Sequence, residues 1–140
     1  MLTNDRTAMR RAFTKAWQRH RDGLPLSAQQ QLIADVITLH PEYQAGIEQP
    51  TSLERDYDGG DGQSNPYLHM GMHIAIREQV AIDRPPGVRS LHQRLSARSG
   101  DVHAAEHVLL ECLGQVLWQA QASGQEPDVQ AYLECARRQA

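Results

Sequence analysis

The sequence predicts an all-α fold, a helical bundle of about five to six helices with one long internal loop. Three observations predict it. Between glycine and proline punctuation, apolar residues recur at three- and four-residue spacing. No stretch alternates with the period of two that a half-buried strand requires. Helix-start signals stand directly before the periodic segments: Ser27 with Gln30, Asn65 with Pro66, and Asp101. The length of 140 residues fits one domain, spanning 1–140, that can bury a core without bridges or metals.

The first helix is expected from about Asp5 to Arg21, capped by Asn4, with Met9, Ala12, Phe13, Ala16 and Trp17 as its apolar stripe. Arg10, Arg11 and Arg19 read as a solvated face. The second opens at the Ser27/Gln30 capping box and buries Leu32, Ile33, Val36, Ile37 and Leu39. Pro41 stops it, which leaves His40 at its C-terminal end, where a cation is favoured. A long connection follows, from about Gln44 to Ser64, through Pro50 and the acidic, glycine-rich DYDGGDG. Loops of that length without structure are usually functional or mobile.

The third helix starts at Asn65-Pro66 and ends before Asp83-Arg84-Pro85-Pro86-Gly87. A short fourth covers about Val88 to Arg98 and stops at Gly100. The fifth takes Asp101 as its cap and runs to about Ala122, and a last one begins near Pro127.

Hydrophobic residues make up 40% and charged residues 22%, a globular rather than disordered balance. The net charge of −3 gives no global field for nucleic acid or anionic lipid. No apolar run approaches the roughly 20 residues of a membrane span, and the opening MLTNDRTAMRR lacks the apolar core of a signal peptide. Cys112 and Cys135 belong to no C-x-x-C pair and make no disulfide framework. These features point to the cytoplasm, or an equivalent reducing compartment. Trp17 and Trp118 read as packing residues.

The chemistry lies in the histidines. Each residue advances a helix by about 100°. His69 and His73 therefore stand about 40° apart, on or beside the face that carries Met72, Ile76 and Val80. His103 and His107 repeat the spacing at the edge of the apolar arc of the fifth helix. Glu106 falls inside that arc, between Leu113 and Leu117. A carboxylate there is costly unless it is paired, protonated or bound to a cation. Two H-x-x-x-H helices near apolar faces can present four imidazoles to one ion or flank a pair of ions. His40 and Glu42 could close the end of such a site. The expected metal set is thus His69, His73, His103, His107, Glu106 and His40. Neutral imidazole suits a transition metal ion, with zinc or iron foremost. The competing account makes every one of these residues structural. The paired histidines then form a polar hydrogen-bond network, His40 caps a helix C-terminus, Glu42 is an exposed carboxylate, and Glu106 forms a buried ion pair with Arg77 or Arg84.

The segment His103-Ala104-Ala105-Glu106-His107 is formally the H-x-x-E-H of the inverzincin peptidases. Those enzymes are much larger and add a downstream acidic ligand, so the pattern alone does not make this chain one of them. His107/Glu111 with His69/His73 is similar in site chemistry to the hemerythrin-like cation-binding bundles, with the two elements in reversed order. Three blocks, HPEYQ (40–44), NPYLHMGMHIAIREQ (65–79) and DVHAAEHVLLECLGQVLWQAQ (101–121), resemble in order a bacterial family described only as a domain of unknown function. That resemblance implies an identity and no chemistry.

The sequence therefore reads as a metal-binding helical bundle. An open zinc site would activate water for hydrolysis, and a di-iron site would bind oxygen or sense redox state. No nucleophile triad, phosphate-binding glycine loop or dinucleotide fingerprint is present. The alternative is a non-enzymatic interaction protein whose histidines form a polar core and whose acidic loop meets a protein partner. Bis-histidine haem ligation and a nucleic-acid adaptor using the basic first helix are further rivals, the last opposed by the net charge.

Overall fold

A computed structural model describes residues 2–53 and 65–140. Among these residues the chain is helical, with no strand. The elements are α1 (Leu2–Arg21), α2 (Ala28–Thr38), α3 (Pro41–Ile47), a 3-10 turn (Pro50–Leu53), α4 (Pro66–Ile82), α5 (Val88–Ser99), α6 (Val102–Ser123) and α7 (Val129–Gln139). They fall into two compact units, one ending at Ile74 and the other covering Ala75–Ala140, so the division lies within α4.

The predicted start signals operate as expected. Ser27 accepts from the Gln30 amide while the Gln30 side chain accepts from the Ser27 amide, closing the capping box of α2. Asn65 Oδ1 accepts from the amides of Tyr67 and Leu68, and Pro66 occupies the first position of α4. Asp101 and Asp128 cap α6 and α7. Gly100 and Gly124 end α5 and α6 in the left-handed conformation, which costs glycine no steric strain.

Several expectations need correction. α1 begins at Leu2, so Asn4 lies inside the helix rather than capping it. The long connection is shorter than expected, because Gln44–Ile47 belongs to α3 and Pro50–Leu53 forms a helical turn. Its remaining part, 54–64, lies outside the described residues. Pro41 does not merely stop α2. It sits at the first position of α3, where its missing N–H costs nothing.

In the first unit the core gathers Phe13, Ala16, Trp17, Ile33, Val36, Ile37, Ile47, Tyr67, Met70 and Ile74. The buried face of α1 is rotated from the predicted stripe: Met9 and Ala12 are exposed, and Arg10 is buried. Arg10 is not solvated because its guanidinium lies 5.0 Å from the centre of the Tyr67 ring and donates to the carbonyls of Ser52 and Leu53. Trp17 packs as expected, its indole N–H donating to Glu48 Oε2. Leu39, predicted buried, is exposed past the end of α2.

In the second unit, Ile76, Val88, Leu91, Leu95, Ala105, Leu109, Cys112, Val116, Tyr132, Leu133 and Ala136 form one core. Cys112 and Cys135 are joined in a disulfide that ties α6 to α7. No spacing signal announces that bridge, because the two cysteines meet only once α7 folds back along α6. Val102, Leu117 and Trp118 lie outside the core, and Trp118 is 70% exposed, so it is not a packing residue. No helix among the described residues is long and apolar enough to cross a membrane.

Candidate metal centre

In the first unit three imidazoles converge. α4 carries His69 and His73 one turn apart, with ring centres separated by 4.9 Å. His40 joins them from the junction of α2 and α3, its ring centre 5.1 Å from that of His69 and 4.7 Å from that of His73. The residue before a proline is disfavoured in the helical region. His40 accordingly leaves it, at φ −126° and ψ 66°, so that α2 ends and α3 begins at a new angle. His40 and His73 are buried, and His69 is half-buried.

The hydrogen bonding of this cluster fixes its chemistry. His40 Nδ1–H donates to the Val36 carbonyl at 2.7 Å. That bond caps the C-terminal end of α2, the structural role expected of His40. It also assigns the tautomer in which Nε2 carries the lone pair, as in ligating histidines oriented through their other nitrogen. The Nε2 atoms of His69 and His73 face each other at 3.3 Å. Nitrogens about 2.0–2.1 Å from a tetrahedral metal stand roughly 3.3–3.4 Å apart, so this separation matches one edge of such a site. His40 and His73 are among the histidines placed closely enough to hold a metal ion.

One neighbour was missed at the level of sequence. The Tyr43 ring is stacked on His40, with centres 5.6 Å apart, and meets His69 edge-on at 5.9 Å. It stands three residues after His40 across a helix start. Only the expectation that Gln44 opened a loop hid that spacing. Glu42, on the same turn, is exposed, which is the structural alternative given for it.

In the second unit, His103 and His107 stand one turn apart on α6 with ring centres 4.4 Å apart, both half-buried. Glu106 is buried as its helical angle predicts, 2% exposed. Its Oε2 accepts from Arg77 Nε at 3.0 Å. Of the two arginines expected as candidates, Arg77 makes this pair. Glu111 is exposed on the outer side of α6.

A family model described as a domain of unknown function, DUF1841, matches residues 5–138. No curated protein and no solved structure matches the chain. The matched span takes in every histidine discussed above and leaves out only the two ends: this chain belongs to the DUF1841 family.

Proposed function

We propose that the protein binds a transition-metal ion, zinc or iron, through imidazole nitrogens. The proposed ligands are His40, His69 and His73, clustered in the first unit; His103 and His107 are the second H-x-x-x-H pair, on α6. The observation that carries this reading is the three-histidine cluster of the first unit. Its ring centres lie 4.7–5.1 Å apart, and one member has its tautomer set by a backbone carbonyl. A largely buried imidazole set suits borderline metals better than the hard cations that prefer oxygen ligands. Glu106 is left out of the ligand set in this assignment, because Arg77 already balances its charge. Bound zinc or iron would supply Lewis acidity or redox chemistry.

A second reading has its own support. The same histidine contacts would also serve a polar core with no metal, as part of an interaction protein.

The experiment is metal analysis of protein purified without a histidine tag, followed by zinc titration against a competing chelator. Near-stoichiometric metal is expected. His73→Ala should weaken binding by more than the roughly 10–100-fold that outer partners typically cost. His20→Ala, outside the cluster, should leave it unchanged. X-ray absorption at the metal edge then counts imidazoles and tests whether His103 and His107 join the set. Metal-free protein whose weak zinc affinity ignores His73→Ala would support the polar core instead.

A further inference from the structure

We infer that the second unit carries a separate binding site for a small carboxylic acid with a short aliphatic tail, in a cavity bounded by α4, α5 and α6. The cavity measures about 220 Å³ and is lined by Ile76, Arg77, Val80, Ala81, His92 and Glu106. Ligand pockets usually enclose roughly 300–1,000 Å³, so only a small molecule fits.

The lining is ordered by helix geometry. Ile76 and Val80 lie four residues apart on α4, as do Arg77 and Ala81, so each pair is stacked along the helix. Three aliphatic side chains therefore form one wall, with the guanidinium at one end. α5 contributes His92, which is half-buried, and α6 contributes Glu106.

Charge and geometry select the ligand. A guanidinium presents two forks, one through Nε and one between its terminal nitrogens. In Arg77 the Nε side is committed to Glu106 Oε2. Glu106 lies deeper, with a side chain 3% exposed, whereas that of Arg77 is 25% exposed. The terminal fork has the planar spacing that a second carboxylate matches in bidentate fashion. The His92 ring offers a further donor. An amine would meet a guanidinium, which repels it. A phosphate would need more donors than this mostly aliphatic wall provides. An aliphatic carboxylate satisfies both ends at once, its head on Arg77 and His92 and its tail along Ile76, Val80 and Ala81. Glu106 acts here as a positioning residue that holds the guanidinium in place.

The test uses the full chain after chelator treatment, titrated with sodium butyrate and followed by NMR shifts of the Arg77 side-chain N–H and the His92 ring. Butyramide and butylammonium are the shape-matched neutral and cationic controls. Saturable butyrate binding is expected, with neither control binding. Ala81→Phe fills the cavity from an exposed position, so it should keep the parent's thermal midpoint and weaken butyrate by about tenfold or more. The double change Arg77→Gln with Glu106→Gln removes both charges together and should also abolish binding in a folded protein. Absence of saturable shifts would overturn the assignment. So would equal binding of butyramide, undiminished binding to Ala81→Phe, or binding that requires added metal.

Discussion

The two units bury polar side chains in different ways. In the first, the buried titratable groups include two imidazoles, His40 and His73, at 2% and 0% exposure, beside Tyr67 and Arg10. The two imidazoles are satisfied by a backbone carbonyl and by a second imidazole. In the second, the innermost group is a carboxylate, Glu106, paired with a guanidinium at 3.0 Å. An imidazole can be buried neutral at little cost, and it then keeps a lone pair that a metal can use. A carboxylate held by arginine is buried as an ion, and its charge is already spoken for. Glu106 and His73 have nearly the same exposure and different partners.

The largest expected effect tests that contrast directly. Arg77→Ala strands the Glu106 charge inside the second unit and should destabilise it by about 3–5 kcal/mol. The double change Arg77→Gln with Glu106→Gln should cost far less, because no charge is left unpaired. In metal-free protein, His73→Leu removes a buried group with no obligatory charge, and its cost should stay near ~1 kcal/mol. Chemical denaturation of the four proteins measures the set. If His73→Leu cost as much as Arg77→Ala, the two units would not differ in the way described.

Much of this was legible in the sequence, for identifiable reasons. The caps at Ser27, Asn65 and Asp101 are local interactions, so four-residue patterns foretell them. The burial of Glu106 followed from helical angle alone, as did the pairing of His69 with His73 and of His103 with His107. What could not be read were contacts made by chain reversal. Arg10 looked solvated because its carbonyl partners lie 42 and 43 residues away. The Cys112–Cys135 bridge depends on how successive helices fold back, which no local period encodes. The exposure of Trp118 was missed for the opposite reason: a large aromatic at helical spacing reads as core, and only tertiary packing shows which arc α7 covers.

The disulfide separates the units by a second criterion. It closes 23 residues of sequence between α6 and α7, and a loop of that size constrains the unfolded chain by roughly 2–4 kcal/mol. Reduction by a dithiol should lower the stability of the second unit by that amount. Hydrogen exchange should locate the loss in α6 and α7, with α1 to α3 unchanged. Equal loss of protection in both units would mean that they unfold as one cooperative body.

The smallest effect concerns Tyr132, whose hydroxyl donates to Gln79 Oε1 at 2.7 Å within the second unit. Desolvation by burial pushes its phenol well above the ordinary tyrosine value. The folded state therefore keeps this proton at pH values where the unfolded chain, with a pKa of about 10, has lost it. Proton binding then favours the native state less as pH rises, so the stability from this group is complete below about pH 10 and declines above it. Tyr132→Phe removes both the hydrogen bond and the titration. Near neutral pH the variant should be less stable by about 1 kcal/mol, the typical net worth of such a bond. Above about pH 10 the parent should lose stability faster than the variant, and the gap between them should close and then reverse. Denaturation curves of both proteins at neutral and strongly alkaline pH give the comparison. Groups elsewhere contribute equally to both proteins and cancel in the difference. A gap that stays constant across that range would show that the phenol ionises as readily in the folded chain as in the unfolded one. The second unit would then tolerate a buried charge at Tyr132 without the partner that Glu106 requires.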